Sequence, residues 1–146
     1  QESDIQSFHR LYAPNAPHTT NAKSRDCISC HADPYALGYG EGTLEYKTES
    51  GVGIWEFTAA YEINANDGLP EDAWIPFLVE DDPERVKSTR SDFRPFTVSE
   101  QQQMLRVGAC LQCHDSNSPV MQRSLVTGLE ILIKESTSAC ILPDFE

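Results

Sequence analysis

The chain has 146 residues, 39% of them hydrophobic, and its 11 Lys and Arg against 23 Asp and Glu give a formal charge of −12. That balance argues against nucleic acid and anionic membrane surfaces as partners and favours a basic docking face on another protein. No stretch approaches the ~20 apolar residues of a membrane span, and a mean hydropathy of −0.44 leaves a thin core for this length.

Residues 1–26 hold Phe8, His9, Tyr12, Pro14, Pro17 and His18 with little periodicity. The two prolines oppose helix, so this segment is predicted to be an extended arm. Asp26 is placed to cap a short helical turn that carries Cys27-Ile28-Ser29-Cys30-His31. Pro34 is placed to stop that helix, and Gly38, Gly40 and Gly42 permit close backbone approach to a flat group.

Residues 43–63 change character. Leu44 and Tyr46 alternate with polar residues, Ser50-Gly51 marks a turn, and Ile54-Trp55-Glu56-Phe57-Thr58 follows, which predicts a β-hairpin. Pro70, Pro76, Pro83 and Pro95 then make residues 64–97 mostly loop, with short helical pieces expected around 71–78 and 83–88. This insertion is long enough to fold as a small lobe of its own. Its acidic cluster Glu80-Asp81-Asp82-Pro83-Glu84 and the run Asn64-Ala65-Asn66-Asp67-Gly68 are conceivable calcium ligands, but neither has EF-hand spacing. A solvated acidic surface is the preferred reading.

Residues 97–114 predict a helix. Thr97-Val98-Ser99-Glu100 fits a capping box, and Met104, Leu105, Val107 and Leu111 supply an apolar face. Cys110-Leu111-Gln112-Cys113-His114 closes it. Ser118-Pro119 then starts a further helix through Val120, Met121, Leu125, Leu129 and Leu132, expected to end near Ser136. The tail Ala139-Cys140-Ile141-Leu142-Pro143 is too short to fold alone and is expected to pack on a neighbour.

Cys-x-x-Cys-His therefore occurs twice, and it is the attachment signal for c-type haem. Two thiols one helical turn apart can add to the two vinyl groups of one porphyrin, and the next residue projects at the iron. With 4 His in the chain, chance would place His after one such pair about 3% of the time, and after both about 0.1%. A structural zinc site could use the four thiolates but would need neither His. A thioredoxin-like redox pair lacks the surrounding βαβ pattern.

The two motifs resemble those of dihaem c-type cytochromes, and Pro-x-Ala-Leu-Gly-x-Gly at 34–40 is similar to haem modules of larger multihaem electron-transfer cytochromes. The resemblance implies two covalently bound haem c groups, anchored by Cys27, Cys30, Cys110 and Cys113, with His31 and His114 as proximal iron ligands. It implies a mainly α fold with much irregular loop and a small β-hairpin insertion, in a haem-centred cytochrome c-type architecture, with the N-terminal arm lying over a haem. The expected organisation is a single dihaem domain: 1–42 as first haem segment, 43–97 as insertion, 98–146 as second haem helix pair and tail. Thioether attachment further implies a periplasmic or extracellular location. Beginning at Gln1 with no signal peptide, the sequence reads as a mature form or part of a longer chain.

Each iron needs a distal ligand unless one site is open. His18, nine residues before Cys27, is the first candidate and His9 the second. Met121 is the alternative: seven extended residues beyond His114 reach about 24 Å, although core packing competes. Met104, on the same helix as Cys110, is read as core, and the odd Cys140 as packing, a free or intermolecular thiol, or an unusual iron ligand. The expected function is relay of single electrons between redox partner proteins with a basic docking face. A haem enzyme or small-ligand binder with one open distal site is the alternative, but no acid–base constellation beyond His9 and His18 is visible. The arm and tail also suit exchange between copies, as in a homo-oligomer or a subunit of a multihaem assembly.

Overall fold

The computed structural model describes residues 9–12, 22–81, 86–88, 90–137 and 139–146. Its elements in order are β1 (Arg10–Tyr12), α1 (Ile28–His31), α2 (Pro34–Leu37), β2 (Gly42–Glu49), β3 (Val52–Ala59), β4 (Val86–Ser88), α3 (Val98–Cys110), α4 (Pro119–Thr127) and α5 (Leu129–Glu135).

Ser50 and Gly51, between β2 and β3, take φ of 52° and 80°. Positive φ at both positions of a two-residue loop is the type I′ geometry, whose twist matches the paired strands. β2 and β3 are antiparallel, with Leu44 opposite Phe57 and Tyr46 opposite Trp55 on the inner face. Glu45, Lys47, Ile54 and Glu56 face outward and are exposed, as strand alternation requires. The predicted hairpin is therefore formed.

The inner face packs into a cluster of Leu37, Tyr39, Trp55, Trp74, Ile75, Leu105 and Ala109. Tyr39 stands edge-on to Phe77, with ring centroids 5.0 Å apart. Two polar anchors cross this interior. The Trp55 indole N–H donates to the Leu105 carbonyl at 3.1 Å. Gln101, only 1% exposed, accepts from the Tyr39 hydroxyl at 2.7 Å and from Leu78 N at 3.2 Å, and donates to the Phe96 carbonyl at 3.0 Å. A buried amide so satisfied costs little and fixes how α3 sits on the hairpin.

This arrangement overturns the mainly α, haem-centred architecture. The described residues are 31% helix and 18% strand, and among them only α3 is longer than nine residues. The interior is built from side chains on the hairpin, on the 69–75 turns and on α3, in contact with one another. The reason lies in residues 64–81, which carry no periodicity yet contribute Leu69, Ala73, Trp74 and Ile75 to the core. Leu44, Trp55, Trp74 and Ile75 of the 43–97 segment therefore share one core with Leu37, Leu105 and Ala109.

Several local expectations are also corrected. Residues 71–78 are turns rather than helix: Trp74 N and Ile75 N both donate to the Gly38 carbonyl, at 2.7 and 3.0 Å. Of the expected helix at 83–88, residues 83–85 lie outside the described residues and 86–88 form β4, which pairs in parallel with β1. Pro34 not only ends α1 but opens α2, behind the Asp33 cap. The helix expected through to Ser136 breaks at Gly128, whose φ is 88°. Gly40 makes a close approach to Asp72, and Gly42 to the Thr58 carbonyl and the Phe57 ring.

Within the N-terminal arm, Arg10 is stapled to residues 67–73. The Arg10 guanidinium is buried, ion-paired with Asp67, and donates to the carbonyls of Leu69, Glu71 and Ala73 at 3.0, 3.1 and 2.7 Å. Asp67 is thereby engaged by Arg10 instead of facing a cation. Residues 13–21 of the arm, with Pro14, Pro17 and His18, lie outside the described residues. No helix among the described residues is long and apolar enough to cross a membrane.

Candidate functional site

The two Cys-x-x-Cys-His segments fold alike. In the first, Cys30 N and His31 N both donate to the Cys27 carbonyl, at 3.3 and 2.9 Å; in the second, Cys113 N and His114 N both donate to the Cys110 carbonyl, at 3.2 and 2.9 Å. Each motif is thus one helical turn, which sets its two thiols on one side. Asp26 caps the first, its carboxylate accepting from Ser29 N at 3.0 Å. The second ends α3, whose start is secured by the capping box: Glu100 N donates to Thr97 Oγ1 and Thr97 N to the Glu100 carboxylate, at 3.2 and 2.9 Å.

Cys27, Cys30 and Cys113 are exposed and Cys110 is half-buried. Burial first, then the neighbouring Cys140, pushes the Cys110 thiol above its ordinary range. All five cysteines are unbridged. Among the described residues, no three His, Cys, Asp or Glu side chains converge to hold a metal ion.

His31 is oriented from the other motif's helix. Its Nδ1 lies 3.2 Å from the Met104 carbonyl oxygen. A carbonyl only accepts, so Nδ1 carries the proton and Nε2 keeps the lone pair a metal would use. Met104 otherwise packs against the core, as expected of it.

His114 opens on a cavity of about 300 Å³ lined by Cys110, Met121, Leu132, Cys140 and Leu142 among others. Met121, at 5% exposure, is buried in its wall. Cys140 reaches the cavity because the tail is tied to the hairpin. The Tyr46 hydroxyl donates to the Ile141 carbonyl at 2.8 Å, Gly53 N to the Leu142 carbonyl at 3.3 Å, and Asp144 N to the Gly53 carbonyl at 2.7 Å. Tyr46 is pushed up to about 12, by burial first and then by the Cys140, Cys110 and Cys113 thiols. A cavity of similar size, about 280 Å³, lies among Trp74, Ile75, Phe93, Phe96 and Gln101, with no His or Cys among the described residues of its lining.

The structure therefore brings together Cys110, His114 and Met121 at one cavity, and sets His31 against α3. His9 is exposed beside Arg10 and does not line the His114 cavity, and His18 lies outside the described residues. Sequence reasoning missed the Met104 carbonyl as the partner of His31, since a backbone acceptor leaves no residue-type signal. It named Cys140 as packing, a thiol or an iron ligand, but had no signal that placed it at the cavity of the second motif.

The residues present fit covalent haem: two matching turns with three exposed thiols and a fourth, Cys110, at the cavity, a His with Nε2 available, and an apolar cavity beside the second His. Comparison with protein-family models, curated proteins and solved structures finds no match for the chain.

Proposed function

We propose that the chain carries two covalently bound haem c groups and relays single electrons between redox partner proteins. The observation that carries this reading is the repeated motif folded twice into the same turn, with the same pair of hydrogen bonds to the first cysteine. Bound haem supplies a one-electron iron couple whose potential follows its axial ligands, hydrogen bonds and burial.

The chain's own residues then have distinct tasks. Cys27 with Cys30, and Cys110 with Cys113, anchor the two groups by thioether bonds. His31 and His114 offer ring nitrogens as proximal ligands, and the Met104 carbonyl orients the first of them. Met121 is the preferred distal donor at the second site, because it lines the same cavity as His114. His18 and His9 stay as distal candidates for the first. Glu45, Glu49 and Glu56 lie exposed on the hairpin, and within a chain of charge −12 they suit a partner with a basic docking face. Haem attachment by thioethers goes with a periplasmic or extracellular setting.

The test is expression alongside a c-type haem maturation system, followed by intact mass and a pyridine haemochrome spectrum. Two haems per chain are expected, falling to one when Cys27 and Cys30, or Cys110 and Cys113, are changed to Ala. A wild-type chain that leaves maturation without haem overturns the reading.

A further inference from the structure

We propose that Gly108 is a positioning residue that seats the first attachment turn directly on α3, so that one helix sets the placement of both haems. The inference rests on reading the two motifs as haem sites.

The observations concern one contact. The His31 carbonyl, at the end of α1, lies over Gly108; a Cβ at 108 would stand 2.5 Å from that oxygen and 3.3 Å from the Trp55 ring. Neither neighbour can readily give way. The His31 carbonyl is backbone, in a turn closed by the bond from His31 N to the Cys27 carbonyl. Trp55 is 4% exposed and tied through its indole to the Leu105 carbonyl. Glycine within a helix is unfavourable relative to alanine, and Gly108 lies in the last turn of α3, two residues before Cys110. The close approach accounts for it.

His31 thus meets α3 twice, by its backbone at Gly108 and by its ring at the Met104 carbonyl, one helical turn apart. Met104 precedes Cys110 by six residues, about 9 Å of helix, so the first proximal His is held within a short rigid span of the second attachment turn. A side chain at 108 would lift α1 from this face and take the His31 ring off its acceptor.

The haem-loaded protein tests this. The wild type is expected to show an exciton couplet in its Soret circular dichroism, the sign of two porphyrins held close at a fixed angle. In Gly108→Ala, with both haems attached by mass, that couplet is lost and one midpoint potential shifts while the other stays. An unchanged couplet and unchanged potentials in Gly108→Ala overturn the proposal. If the variant does not accumulate, the wild type decides: a couplet supports the shared seat, and two haems without a couplet overturn it. A wild type that binds no haem instead removes the reading beneath it, and the proposal with it.

Discussion

The ring of His31 hydrogen-bonds to the backbone of Met104, 73 residues away in sequence. That bond ties the residue that would face the first iron to the helix that ends in the second motif, and it selects the tautomer with Nε2 available. Motif chemistry and core packing meet there, since α3 also carries Leu105 and Ala109 into the central cluster.

Replacing His31 by Ala is expected to remove or markedly shift one of two redox potentials and leave the other in place. His114→Ala should do the same to the other. Film voltammetry of the two variants reads this directly, and wild-type potentials in either would remove that His from the site.

Met121 separates packing from ligation. Burial at 5% makes Met121→Ala costly, at about 2–5 kcal/mol, whereas Met121→Leu keeps the volume and should cost under about 1.5 kcal/mol. If the sulfur is a distal donor, Met121→Leu nevertheless loses the His/Met charge-transfer band in near-infrared magnetic circular dichroism. Retention of that band would leave Met121 with packing alone.

The Arg10–Asp67 pair, with side chains 7% and 2% exposed, should dominate the stability of the N-terminal strand. Removing one partner of a buried pair costs about 3–5 kcal/mol, so Arg10→Ala is expected to lower the urea midpoint sharply. The double change Arg10→Met with Asp67→Leu should recover much of that loss, because no buried charge is then left without its partner.

Acid should weaken the start of α3. The Arg94 side chain, and then the Thr97 backbone N–H, hold the Glu100 carboxyl down at about 2, against an ordinary 4.5. A carboxyl whose folded value is depressed stabilises the fold fully above its ordinary value, and that contribution fades as pH falls from about 4.5 toward about 2. Glu100→Gln should therefore be less stable than wild type at neutral pH, with the gap closing across that window. Because the group is exposed, the gap should be small and should shrink with added salt. Thermal unfolding at several pH values measures it.

What the sequence determined by itself was local. The capping box at Thr97 and Glu100, the Ser50-Gly51 turn with its register, and the two motif turns each depend on residues within four positions of one another. Hydrogen bonds over that range form wherever the residue types allow them. The candidate anchors and proximal ligands were legible for the same reason, as fixed spacings along the chain. Tertiary structure decided the rest. The mainly α expectation failed because aperiodic residues 69–75 enter the core, and no pattern marks a loop that will be buried. Residues 10–12 of the arm pair with β4, and Arg10 finds Asp67, 57 positions away. His31 found its acceptor in a backbone carbonyl, and Cys140 reached the second motif through the tail's bonds to Tyr46 and Gly53. These placements follow from which distant surfaces pack together, and that choice is made by the whole core at once rather than by any short stretch.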